Sequence, residues 1–130
     1  MLPTVVHEFC HSYVNPLVYA HVSELEDAGT RMFPHVKDRM KRMAYGNWQT
    51  MMHESVVRAS VVRYMHATRG KAAARRQVRR EINNGFLWME ELAELLEQYE
   101  ANREQYPTFE SFFPRIIELF NAYSEKLAPP

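Results

Sequence analysis

Thr108-Phe109-Glu110-Ser111-Phe112-Phe113-Pro114-Arg115-Ile116-Ile117-Glu118-Leu119-Phe120-Asn121-Ala122-Tyr123 carries the clearest periodicity in the chain. Phe109, Phe112, Phe113, Ile116, Ile117, Phe120 and Tyr123 recur at intervals of three and four, the spacing that lines one face of an α-helix. Pro107 stands before the run, and Thr108 suits an N-cap because its hydroxyl can accept from the first turn. The same period continues toward the N-terminus. Phe86 to Arg103 reads as an acidic helix with Glu90, Glu91, Glu94, Glu97 and Glu100 and an apolar stripe of Leu92, Leu95, Leu96 and Tyr99. Lys71 to Ile82 reads as a basic helix with Arg75, Arg76, Arg79 and Arg80, broken at Asn83-Asn84-Gly85. Opposite charge on consecutive helices predicts a complementary hairpin.

Asn47 to Gly70 reads as one long helix, with Met51, Met52, Val56, Ala59, Val62 and Met65 at helical intervals and Gly70 as its stop. Tyr45-Gly46-Asn47 reads as a connection. Arg31 to Met43 is expected to be a short helix interrupted near Pro34. Leu17 to Asp27 is expected to be another, ended by Ala28-Gly29-Thr30. A first helix should begin at Pro3, where the missing N–H costs nothing, and stop near Val14, because the residue before Pro16 is pushed out of the α region. No stretch reads convincingly as a strand. The expected fold is all-α, in a single domain over residues 1–130.

Bulk properties fit that expectation. Of 130 residues, 46% are hydrophobic and 25% charged, enough for one buried core. Sixteen basic and sixteen acidic residues balance to a formal charge of zero, so net charge does not favour nucleic acid or an anionic membrane. No apolar run approaches the roughly 20 residues of a membrane span. Met1-Leu2-Pro3 lacks the basic start and apolar stretch of a signal peptide. The single cysteine, Cys10, excludes an internal disulfide and leaves the compartment open.

The chemistry concentrates in His7-Glu8-Phe9-Cys10-His11. Residues four apart on a helix lie above one another, so His7 and His11 can reach one metal ion without bending the backbone. Glu8 follows the first imidazole directly, where a carboxylate can act as general base. Thr4-Val5-Val6 before the motif and Ser12 and Tyr13 after it are uncharged. That pattern resembles the extended signature of the zincin metallopeptidases, which implies zinc as cofactor and a peptide or protein as substrate.

The third ligand follows from the resemblance. Metzincins would need Gly at position 14 and His at 17, where this chain has Val14 and Leu17. Gluzincins take a Glu from a later helix, and His53-Glu54 is a polar pair on an otherwise apolar one. The gluzincin-like reading therefore implies zinc held by His7, His11 and Glu54, with His53 as the main rival and Glu24 and Glu26 behind it. Gluzincins often carry Asp four residues after that Glu, whereas this chain has Arg58. Arg58 would then hold a substrate carboxylate or pair with Glu54 one turn away. His66, three turns beyond Glu54, is a candidate oxyanion contact or a surface histidine. His11-Ser12-Tyr13-Val14-Asn15-Pro16 is also similar to a bacterial family of unknown function whose members are classed as gluzincin-like peptidases.

Other residues have plainer readings beside the chemical ones. Cys10 is either near the metal or a small core residue. Asn15-Pro16 is a helix stop or a substrate contact. Tyr19, Tyr64, Tyr99, Tyr106 and Tyr123 are all hydroxyl donors that the sequence does not rank. The methionines read as core filling. Zincins place a β-sheet before the motif helix, and six residues leave no room for one. The chain is therefore expected to be the helical, C-terminal part of a longer protein. The apolar face of its first helix (Val5, Val6, Phe9, Tyr13) would then lack cover and favour self-association. The competing reading is a non-catalytic helical interaction module with a relic or structural metal site.

Overall fold

A computed structural model describes Cys10 and residues 14–127. Among the described residues every regular element is helical and no strand occurs, so the fold is all-α. Residues 14–20 form α1, and Cys10 is also helical. They are followed by α2 (Val22–Arg42), α3 (Trp48–Arg69), α4 (Lys71–Asn84), α5 (Met89–Ala101) and α6 (Phe109–Glu125). None of these helices is long and apolar enough to cross a membrane.

The helix α3 is central. It packs against α2, α4 and α5, while α6 closes the far side against α2 and α5. Such a position demands apolar residues around most of the helix, and Met51, Met52, Val56, Val57, Ala59, Val61 and Val62 are all buried. The core joins these, apart from Val61, to Met32 and Met40 of α2, Leu92 of α5, and Phe112, Phe113, Ile116 and Phe120 of α6, while Val61 packs with Met65 and Ala73. Asn47 caps α3 by accepting from Thr50 N at 2.8 Å. The α6 start is the expected one: Thr108 Oγ1 accepts from Ser111 N at 3.1 Å, and Ser111 Oγ accepts from Thr108 N at 3.2 Å. That reciprocal pair satisfies two orphan donors of the first turn.

Three expected boundaries fall elsewhere. The helix does not stop at Asn15-Pro16: residues 14–20 are helical, and the turn comes at His21. There the backbone N–H donates to Leu17 O and Val18 O at 3.1 and 3.2 Å. Nor does the chain break at Ala28-Gly29-Thr30 or near Pro34, since α2 runs through both. Thr30 turns its hydroxyl back on the same helix, donating to Glu26 O at 2.8 Å. Gly29 is buried for a packing reason, because a Cβ there would sit 2.8 Å from Trp48 Cδ2 and nearer still to Cε3. An indole ring cannot yield as a flexible chain would. Gly29→Ala is expected to destabilise by about 1–3 kcal/mol through overpacking. Thermal unfolding followed by circular dichroism checks this, and an unchanged midpoint would show that α2 and Trp48 do not meet closely.

The acidic helix begins at Met89 rather than Phe86, because Phe86 and Trp88 are buried in the connecting turn. Gly85 ends α4 with φ 119°, a left-handed conformation that favours glycine. Trp88 Nε1 donates to Ser55 Oγ at 2.9 Å, so the polar residue on buried α3 answers the polar edge of a buried ring. Ser55→Ala would leave that indole N–H without its partner and should lower stability by about 1–3 kcal/mol. Urea denaturation measures it; a loss below a few tenths would mean that another acceptor replaces Ser55. The expected hairpin forms only as packing. Among the described residues no ion pair joins α4 to α5, and Arg63 of α3 instead meets Glu100 at 2.8 Å and Glu97 at 3.7 Å.

Candidate functional site

His7, Glu8 and His11 lie outside the described residues, as do Val5, Val6, Phe9 and Tyr13. Glu54 does not. It sits on α3, 4% exposed. A carboxylate there needs partners, since burying a charge unpaired is costly. Tyr45 Oη donates to Glu54 Oε1 at 2.7 Å, and Arg58 Nε donates to the same oxygen at 3.0 Å. Arg58 Nη2 also donates to Tyr45 Oη at 2.8 Å, which closes a triangle of three hydrogen bonds.

The fold brings these groups together from three places. Arg58 lies one turn after Glu54, so the i, i+4 spacing supplies that pair. Tyr45 comes from the connection after α2. There Ala44 takes φ 65°, a left-handed conformation uncommon for a residue with a Cβ, and reverses the chain onto α3. The third contributor is Glu81 of α4, 3% exposed, whose Oε1 accepts from Arg58 Nη1 at 2.7 Å. Gln77 and Asn84 donate to Glu81 at 3.2 and 3.1 Å. The guanidinium also lies over the Phe86 ring, 4.9 Å from its centroid. Each of its nitrogens therefore bonds within the protein.

Electrostatics follow from that geometry. Burial works against the Arg58 charge, but Glu81 and Tyr45 outweigh it and hold the group above its ordinary value. Burial also pushes the Tyr45 phenol up, and the bond to Glu54 adds to the shift. The hydroxyl is thus kept as a donor. Cys10 is half-buried, packs on the core, and has its thiol pushed up by burial.

Asn15 of α1 meets α3 one residue from Glu54. Its Oδ1 lies 3.0 Å from Nδ1 of His53, the residue next to Glu54. Asn15, His53 and Glu54 each make further contacts besides these. The other sequence candidates stand apart. Glu24 and Glu26 are exposed on α2, where Glu24 meets His21 at 2.9 Å. His66 lies twelve residues beyond Glu54 on α3, about 18 Å at 1.5 Å per residue, in a groove of about 480 Å³ shared with α4 and α5. The structure does not bring it to Glu54. Tyr99, Tyr106 and Tyr123 make ring contacts with Phe112, Phe112 and Trp88 respectively, and Tyr19 is exposed.

Tyr45 and Glu81 were not singled out in the sequence. A signal for Glu81 exists: Ala73, Ala74, Gln77 and Glu81 form the buried stripe of α4, so two polar residues occupy its apolar register. Tyr45 carries no such signal, because a turn residue has no period.

Of the ligand set that the sequence suggests, Glu54 alone is described. Glu54 is a buried carboxylate oriented by neighbouring hydrogen bonds, as ligating carboxylates are. Among the described residues no three His, Cys, Asp or Glu side chains cluster to hold a metal, so Glu54 would need partners from outside them. A family model matches residues 2–119, described as a domain of unknown function, DUF4932. The chain belongs to that family. The match takes in the His7–His11 motif, Glu54 and Glu81 together. No curated protein and no solved structure matches the chain.

Proposed function

We propose that this family member is a zinc-dependent peptidase domain of gluzincin-like type, with His7, His11 and Glu54 holding the metal and Glu8 as general base. The observation that carries the reading is a buried Glu54 whose carboxylate is oriented by Tyr45 and Arg58. His7, His11 and Asn15 follow at four-residue steps, the interval at which helical side chains share a face. Asn15 in turn stands against His53, one residue from Glu54. Zinc, when bound, would acidify a water and polarise the scissile carbonyl. The Glu8 carboxylate would accept a proton and return it to the leaving amine. Arg58 keeps Glu54 in place rather than meeting substrate, since each of its nitrogens is bonded internally.

A second reading is favoured by one observation. Glu54 already pairs with Arg58 at 3.0 Å, so its burial is accounted for without a metal. The chain would then be a non-catalytic helical module, its polar network serving only to join α3 to α4. Metal analysis after chelator-free purification, followed by peptide hydrolysis, separates the two. One zinc per chain with turnover supports the peptidase. Zinc without turnover leaves a structural metal site, and no zinc leaves the helical module.

A further inference from the structure

Resting on the zinc reading above, we infer that Tyr45 and Arg58 are positioning residues for the Glu54 carboxylate, and that Glu81 anchors them from α4. Two donors meet at one atom, Glu54 Oε1, at 2.7 and 3.0 Å. Because Arg58 and Tyr45 also bond to each other at 2.8 Å, the carboxylate cannot turn without breaking part of a closed triangle. An isolated Glu–Arg pair at i, i+4 would not impose this, since both chains would sample several rotamers. Arg58 is denied that freedom by Glu81 at 2.7 Å and by the Phe86 ring beneath it. Glu81 is fixed in turn by Gln77 and Asn84. A ligand held in one orientation before the metal arrives loses less freedom on binding. Outer partners of this kind typically change metal affinity by about 10–100-fold. Glu81 would thus tune the metal site without touching it.

The test is zinc affinity of the full chain, by competition with a chromogenic chelator, at a temperature where circular dichroism shows each variant folded. Tyr45→Phe removes one donor to Glu54, and Glu81→Gln removes the charge that anchors Arg58. Ser55→Ala serves as the control. It disturbs the same helix at the next residue, through Trp88 rather than through the network. The expected result is zinc binding about 10–100-fold weaker in Tyr45→Phe and Glu81→Gln, and unchanged in Ser55→Ala. Wild-type zinc binding with equal affinity in both network variants would overturn this inference and leave the zinc reading standing. Equal weakening in Ser55→Ala would overturn it too, by showing that general loosening of α3 is enough. A wild-type chain that binds no zinc would overturn both.

Discussion

Arg58→Leu is expected to lower stability by about 3–5 kcal/mol. The cause is what the change leaves behind. Glu54 and Glu81 have side chains 5% and 4% exposed, and Arg58 is the guanidinium that bonds to both. Leucine would fill much of the space over Phe86 yet leave two neighbouring carboxylates deprived of that charge. For a chain of this length the loss corresponds to a fall in melting temperature of about 10–20 °C. Thermal and urea unfolding followed by circular dichroism measure it. Exposed ion pairs contribute only about 0–1 kcal/mol, so a loss in that range would show that water, rather than Arg58, compensates the two carboxylates.

Glu8→Gln is expected to leave zinc content unchanged and to reduce peptide hydrolysis by at least about 10²–10⁴-fold, the contribution of a positioned general base. The amide keeps the shape of the side chain but cannot accept the proton. His11→Ala should behave differently, losing zinc and hydrolysis together, because an imidazole ligand disappears. The contrast matters more than either result. Turnover persisting in Glu8→Gln would rule out Glu8 as the base, whatever the metal content. Zinc persisting at full affinity in His11→Ala would remove the motif from the metal site.

Much of the fold was legible because helices in a small bundle must alternate their faces. The stripe from Phe109 to Tyr123 and the Thr108 cap gave α6, and Asn47 and Gly70 bounded α3 to within a residue. The misread points share a physical origin. Gly29, Thr30 and Pro34 are helix breakers by propensity, but tertiary packing overrode them in α2, where the absent Cβ of Gly29 admits Trp48. The same limit applies to the candidate site. Burial of Glu54 could be foreseen from the apolar residues around it, and its bond to Arg58 from their spacing. Nothing local announced that Glu81, 23 residues beyond Arg58, would complete the network, because that contact depends on how α4 folds back along α3. The opposite charges of α4 and α5 misled in the same way: the two helices adjoin, but Arg63 of α3 takes the ion pairs with α5.

Anomalous scattering at the zinc absorption edge, from crystals of the zinc-loaded chain, tests the central claim most directly. The expected result is a single peak bounded by the His7 and His11 rings and the Glu54 carboxylate, with metal–nitrogen distances of about 2.0–2.1 Å. A Glu54 side chain that keeps Arg58 and Tyr45 as neighbours and lies far from both histidines and any metal would contradict it.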